Sequence, residues 1–100
     1  MDTTLVREEG RAVISLKGRF TTDEAPSFTK VIESLQQDIP PKVVMDLEGL
    51  DFVSSAGIRC FVMLHKACSA LGSALTLTHL APQITDILTL TALIDKFNVE

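Results

Sequence analysis

The spacing of hydrophobic residues changes several times along the chain, and each change marks a predicted element. In the segment 3–17, apolar residues flank the polar pair Glu9-Gly10, which is typical of two short strands joined by a tight turn. Gly18 is expected to end this pair of strands. From about residue 24 to residue 36 the apolar residues recur at helical spacing. The chain is therefore expected to open with a β-hairpin followed by a helix.

Strands and helices then alternate to the end of the chain. The nearly continuous apolar run 42–47 predicts a strand in the middle of a sheet, covered on both faces and followed by a polar loop at 48–51. A long helical pattern begins near Ser55, reaches about Leu71 and is followed by Gly72, the natural C-terminal cap. Three further elements are predicted, namely a strand at 74–78, a helix at 82–91 and a short final strand at 97–99.

This order of elements predicts the fold class. Helices that alternate with strands after an initial hairpin imply an α/β fold, in which crossover helices connect the strands of a mixed, mostly parallel sheet. With 100 residues, of which 46% are hydrophobic and only 5% aromatic, the chain suits one domain with an aliphatic core. We therefore expect a single domain that spans residues 1–100.

Charge and hydropathy exclude two classes of partner. The formal net charge is −4, whereas proteins that bind nucleic acid usually carry clustered lysine and arginine. No stretch approaches the roughly 18 uncharged apolar residues of a membrane span, and the first residues do not resemble a signal peptide. The sequence thus predicts a cytoplasmic protein that neither binds nucleic acid nor inserts into a membrane.

No motif for catalysis, metal binding or nucleotide binding is recognisable. Cys60 and Cys68 lie eight residues apart in the long helix, too far for a disulfide, and neither His65 nor His79 stands at a metal-ligand spacing from them. Ser55, His65 and Asp46 lack the elbow motif of a serine hydrolase. Glycine-rich phosphate-binding loops are absent as well. We expect neither enzyme activity, nor a metal, nor a cofactor.

The most informative feature is the serine pair at the start of the long helix. Ser54 and Ser55 follow a buried strand, and serine at this place commonly caps a helix. The N-terminus of a helix also favours anions, because its N–H groups lack acceptors and the helix dipole is positive there. Phosphorylation of a serine at this position would therefore be compatible with the folded helix.

The two faces of the long helix differ in composition. One face is apolar and is expected to pack inward; it carries Cys60, Phe61, Leu64, Ala67, Cys68 and Leu71. The other is expected to point outward; it carries Arg59, Val62, Met63, Lys66 and Ser69. Isolated surface valine or methionine residues are ordinary. Beside Ser55, however, the outward face has the apolar centre and charged rim of a protein-binding patch.

Three segments together resemble a known family. They are the strand end Met45-Asp46-Leu47, the stretch 52–59 that opens the long helix, and the return to a strand at 72–77. In this order they resemble the STAS domain, particularly the bacterial anti-sigma factor antagonists, over nearly all of the chain. The resemblance implies the STAS fold, with the mixed sheet and crossover helices described above.

The family resemblance also implies a partner switch. In such a switch the unphosphorylated domain binds an anti-sigma factor that is also a serine kinase, phosphorylation breaks the complex, and a PPM-type serine phosphatase restores it. Aligned on Gly57, the phosphorylated serine is Ser55, with Ser54 as the less favoured acceptor. Any ATP then belongs to the partner kinase. The partner-binding residues are Asp23, Ser54, Ser55, Arg59, Val62, Met63 and Lys66.

The sequence departs from the family pattern at three places. Ser54 stands where an aspartate is usual, Ala56 stands where a second serine is usual, and the acid expected soon after Gly18 comes later, at Asp23. The missing aspartate keeps an alternative open. Standalone STAS proteins of another kind dock on the ATPase of a lipid-transport complex and regulate its assembly.

Overall fold

The computed structural model describes residues 1–100, and its strands and helices follow the predicted order. The strands are β1 (Asp2–Glu8), β2 (Arg11–Phe20), β3 (Lys42–Val53), β4 (Ala74–Thr78) and β5 (Asn98–Val99). The helices are α1 (Ala25–Gln37), α2 (Ser55–Ala70) and α3 (Pro82–Leu90), with 3₁₀ turns at Thr22–Glu24 and Ile94–Lys96. The expected bounds of the three helices are thus confirmed to within about one residue.

The strands form one sheet in their chain order, from β1 at one edge to β5 at the other. β1 and β2 form the N-terminal hairpin and are antiparallel, whereas every later pair is parallel and is joined by a helical crossover. The predicted α/β fold, a mixed and mostly parallel sheet opened by a hairpin, is confirmed. None of the helices is both long enough and apolar enough to cross a membrane.

The hydrophobic core lies between the helices and one face of the sheet. That face carries alternate residues of the three inner strands, among them Ile14, Met45 and Leu77, and they pack in one cluster with residues of the helices. The opposite face is more open, since Val44 and Asp46 on β3 are only half-buried. β3 does lie in the middle of the sheet, as predicted, but only one of its faces is fully covered, so the expected cover on both faces is wrong.

Two strands are longer than the sequence predicts. β2 continues through Gly18 to Phe20, because Gly18 adopts a φ of +100° beside a register shift and the strand does not end there. β3 likewise continues through the expected loop at 48–51 as far as Val53. β4 has already ended opposite Asp46, so the last part of β3 pairs only with β2. Polar residues are therefore tolerated there on an open edge.

The C-terminus of α2 ends in a Schellman motif, as the sequence predicts for Gly72. Gly72 has a φ of +74°, its N–H donates to the carbonyl of Ser69, and the N–H of Ser73 donates to the carbonyl of Cys68 at 2.8 Å. Leu71 leaves the helical conformation at this cap, and half of its surface is exposed. Its assignment to the inner face was therefore wrong, whereas the other five inner residues are buried.

Both cysteines of α2 are free and buried, as expected from their spacing. Burial raises the pKa of each thiol, because a thiolate is poorly solvated in an apolar surrounding. At neutral pH they therefore act as small hydrophobic residues of the core.

Three phenylalanine rings join β2, α1 and α2 inside the core. The ring centroids of Phe20, Phe28 and Phe61 lie 5.3 to 6.3 Å from one another in tilted or edge-on arrangements. The first turn of α2 reaches this cluster through Gly57. A Cβ at that position would lie 2.6 Å from a methyl carbon of Val53 and 2.9 Å from the Phe20 ring. Glycine thus allows α2 to begin close against β2.

We predict that Gly57→Ala destabilises the protein although alanine is the better helix former. Three contacts shorter than 3 Å, one with Val53 and two with the Phe20 ring, force these side chains or the helix to move, which typically costs about 1–3 kcal/mol. Urea unfolding measures the change in the free energy of unfolding. The control is Ser69→Ala on the exposed face of α2, which should shift stability by less than about 0.5 kcal/mol. An equally stable Gly57→Ala variant would contradict the packing constraint.

Candidate functional site

The site begins at a direct junction of β3 and α2, where only Ser54 separates the strand from the helix. The Ser54 N–H donates to the carbonyl oxygen of Phe20 at 2.8 Å, which ties the junction to the end of β2. The Ser54 side chain is the N-cap, since its Oγ accepts the N–H of Gly57 at 3.1 Å. The capping role that the sequence suggested is therefore confirmed for Ser54.

Ser55 is the first residue of α2, and its side chain differs from that of Ser54 in its surroundings. It is exposed, whereas Ser54 is half-buried, and its hydroxyl makes no hydrogen bond within the chain. The N–H groups of Ser55 and of the next residue precede the first intrahelical bond, so both point out of the helix end. The site thus combines a free hydroxyl with the positive end of a helix dipole.

Along α2, the predicted partner-binding residues form one stripe that starts at Ser55. At 100° per residue, the positions of Ser55, Arg59, Val62, Met63 and Lys66 fall within about 100° of helix surface. The stripe is about 16 Å long, because each residue advances the helix by about 1.5 Å. Met63 is 45% exposed, Val62 is half-buried, and both cations are exposed. We call these five residues the α2 stripe.

Asp23 lies in the 3₁₀ turn that packs against α2. Directly after this turn, the carbonyl of Ala25 lies 4.0 Å from the Cys60 sulfur, and so the turn flanks the N-terminal half of α2. The Asp23 side chain is exposed, and a hydrogen bond from the Thr21 hydroxyl lowers the pKa of its carboxyl group. Asp23 therefore adds a negative charge near α2, whose stripe carries the two cations Arg59 and Lys66.

Arg19 is a charged residue near the junction that sequence reasoning missed. Its guanidinium group lies 4.3 Å from the ring centroid of Phe52, which is a cation–π contact just before the junction. The contact arises because Arg19 and Phe52 are partners in the parallel ladder of β2 and β3. No local pattern signals it, since the two residues lie 33 positions apart and meet only through strand pairing.

Ser55, His65 and Asp46, which a serine hydrolase would need side by side, do not come together in the fold. His65 packs its ring edge-on against Phe97, with centroids 5.5 Å apart. Asp46 instead contacts His79, whose Nδ1 lies 3.0 Å from a carboxylate oxygen, and this hydrogen bond raises the pKa of His79. Ser55 therefore has neither a histidine base nor an orienting carboxylate beside it. The geometry of the site suits modification or binding by another protein.

Comparison with known proteins gives relatives that span nearly the whole chain. BtrV of Bordetella bronchiseptica, a protein assigned as an anti-sigma factor antagonist, is 24% identical over 99 residues, which are 99% of this chain and 85% of BtrV. A crystal structure of an anti-sigma factor antagonist from Mycobacterium paratuberculosis superposes with a TM-score of 0.86 at 22% identity. The match covers 98% of this chain and 83% of that one.

SpoIIAA, an anti-sigma factor antagonist and cell fate determinant of Bacillus, shares the fold in two states. Its unphosphorylated form gives a TM-score of 0.84 and covers 99% of this chain and 88% of its own. Its phosphorylated form gives 0.79 and covers 99% and 91%, and the sequence identity is 16% for both. Residues 3–100 of this chain match the family model of the STAS domain. The chain belongs to the STAS domain family.

Proposed function

We propose that this protein is an anti-sigma factor antagonist that works by partner switching. In its unphosphorylated form it binds an anti-sigma factor with serine kinase activity through the α2 stripe, Ser54 and Asp23. The kinase phosphorylates Ser55 and thereby releases the complex, and a PPM-type serine phosphatase reverses the modification. The chain itself contributes binding, while catalysis and ATP belong to its partners.

The observation that carries this proposal is that the hydroxyl of Ser54 is hydrogen-bonded within the fold, whereas that of Ser55 is not. The Ser54 hydroxyl is half-buried and engaged as the N-cap by the N–H of Gly57. A kinase would have to break that hydrogen bond to use it as a phosphate acceptor. The Ser55 hydroxyl is exposed and unbonded at the head of the stripe. The acceptor that the family alignment favours is thus also the accessible one.

A phosphate on Ser55 changes the stripe without opposing the fold. At the first position of α2 its charge is favoured by the helix dipole and by N–H groups that have no intrahelical acceptor. Arg59 follows four residues later on the same face, at the spacing at which opposite charges on a helix attract. The phosphate therefore competes with acidic groups of a partner for Arg59 and places a charge against any apolar contact at Met63.

Two relatives support the same mechanism. The name assigned to BtrV describes an anti-sigma factor antagonist. SpoIIAA has been solved both unphosphorylated and phosphorylated, and both forms superpose well on this chain. In that relative, phosphorylation is therefore compatible with the fold that the two proteins share.

A second candidate function rests on the missing aspartate. Ser54 replaces the acid that usually precedes the phosphorylated serine, which favours a STAS subunit that docks on the ATPase of a lipid-transport complex. A pull-down from lysate of the source organism with the tagged chain separates the two candidates. Recovery of a small kinase-fold protein supports the partner switch, whereas recovery of a transporter ATPase supports the docking subunit.

We predict that the two serines contribute unequally to stability. Ser54→Ala removes the N-cap and should lower the free energy of unfolding by about 1 kcal/mol. Ser55→Ala removes an exposed, unbonded hydroxyl and should change it by less than about 0.5 kcal/mol. Urea unfolding of both variants in parallel measures the difference. Equal losses would mean that the hydroxyl of Ser55 is also engaged in the fold.

We predict that the captured kinase, with Mg-ATP, adds one phosphate to the chain and that this phosphate is on Ser55. Intact mass and peptide mapping of the wild type and of two variants measure the modification. Ser55→Ala should remain unmodified, while Ser54→Ala should still be phosphorylated because its Ser55 hydroxyl is intact. Phosphorylation of Ser55→Ala to the wild-type extent would exclude Ser55 as the acceptor.

We predict that Ser55→Asp weakens binding to the anti-sigma factor, the partner of the unphosphorylated chain. The affinity should fall by about tenfold or more, and a tenfold loss corresponds to about 1.4 kcal/mol. The carboxylate is costly to desolvate at an interface, whereas at the start of α2 it is compatible with the helix dipole. Titration calorimetry measures the affinity. The matched control is Ser34→Asp, which adds the same charge at an exposed position of α1 and should bind normally. Unchanged affinity of Ser55→Asp would remove the electrostatic mechanism.

A further inference from the structure

Three metal-ligating side chains meet on the open face of the sheet, opposite the helices. Asp46 lies on β3, Glu48 follows two residues later, and His79 comes directly after β4. β3 and β4 are parallel neighbours, and Asp46 is the register partner of Thr78, so the pairing places His79 beside it. One ligand atom from each of the three side chains lies within 4.8 Å of the other two.

The distances within this cluster are close to those of a metal site. Zn²⁺ binds imidazole nitrogen and carboxylate oxygen at about 2.0–2.2 Å, so two such ligands at a tetrahedral ion lie about 3.3 Å apart. Nδ1 of His79 and Oδ1 of Asp46 lie 3.0 Å apart. This distance is only a few tenths of an ångström shorter than the distance between two ligands of one tetrahedral ion. The Glu48 side chain is exposed, and a movement of less than about 2 Å brings its ligand atom to the same distance from the other two.

The surroundings of Asp46 orient its carboxylate and leave room for a further ligand. The backbone N–H of Glu48 donates to Oδ1 of Asp46 at 3.1 Å, which is the kind of outer hydrogen bond that positions ligating carboxylates. Asp46 and Glu48 border an open cavity of about 580 Å³, which Ser15 and Lys17 also line. Lys17 brings one positive charge to the lining of this cavity, against the two negative charges of Asp46 and Glu48.

We propose that Asp46, Glu48 and His79 form a binding site for a divalent transition-metal ion, with Zn²⁺ as the best-matched ion. One imidazole and two carboxylates make a mixed nitrogen and oxygen donor set, which suits Zn²⁺ better than Ca²⁺ or Mg²⁺, whose ligands are oxygen. Water from the cavity takes the fourth position. The ion links the end of β4 to the middle of β3, and so it stabilises the sheet independently of Ser55.

Local sequence patterns do not reveal this site, because neither histidine stands at a metal-ligand spacing from the two cysteines. Those cysteines are buried in α2, whereas the two carboxylates that lie near His79 come from the neighbouring strand, more than 30 residues earlier. The ligand spacing is therefore set by strand register and has no short sequence motif.

The test is a titration of the ¹⁵N-labelled protein with Zn²⁺ alone, followed by NMR and by calorimetry. We expect saturable binding of one equivalent, with shifts centred on residues 46–48 and 79. Both His79→Ala and Glu48→Gln should weaken the affinity by at least about tenfold, since changes even to outer-shell partners cost about 10- to 100-fold. Glu48→Gln is the sharper variant, because it leaves the contact between Asp46 and His79 in place.

Two matched variants control for binding elsewhere. His65→Ala removes the other histidine, which packs against Phe97, and Glu33→Gln removes an exposed glutamate of α1. Both should bind Zn²⁺ with wild-type affinity, and their amide spectra and those of the site variants verify that each remains folded. Absence of saturable binding, wild-type affinity in His79→Ala or Glu48→Gln, or shifts centred on His65 would each overturn the proposal.

Discussion

The hydrogen bonds of Ser54 hold together the part of the molecule from which the proposed function follows. Its N–H binds the carbonyl of Phe20 at the end of β2, and its hydroxyl caps α2 by accepting the N–H of Gly57. Gly57 in turn lies so close to Phe20 and Val53 that a methyl group would not fit. Strand, junction and helix are thereby fixed to one another with little freedom at the site.

This constraint explains how the domain presents a modifiable residue without losing order. Because the Ser54 hydroxyl already caps the helix, the hydroxyl of the neighbouring Ser55 is not needed for a hydrogen bond within the fold and is exposed to solvent. The rigid α2 then carries the hydroxyl, Arg59 and Met63 on one surface. A charge added at the head of this stripe alters the surface proposed for partner binding, while the core beneath it is unchanged.

Periodicity predicted most of the fold, because the helices and inner strands have strong and simple hydrophobic patterns. It failed where tertiary pairing overrides local signals. Gly18 and the polar stretch 48–51 resemble strand ends, yet register shifts between β2 and β3 carry both strands past them. Leu71 has the phase of the inner face, but the C-terminal cap turns it outward. All three misses concern ends of elements, where spacing alone carries little information.

The candidate site was predictable to a similar extent. Ser54, Ser55 and the α2 stripe follow from helical phase and from the family motif, and the structure shows which hydroxyl is used as the cap. Arg19 and the cluster around His79 depend on register between strands distant in sequence, and no spacing rule could find them.

The proposed function requires that the α2 stripe, headed by Ser55 and flanked by Asp23, is the surface that binds the partner. Amide shift mapping by NMR, with the labelled chain titrated with the anti-sigma factor, tests it most directly. We expect perturbations at the 3₁₀ turn Thr22–Glu24 and along the outward positions of α2 from Ser55 to Lys66. Perturbations centred instead on the open face of the sheet, around Val13 and Val44, would contradict it.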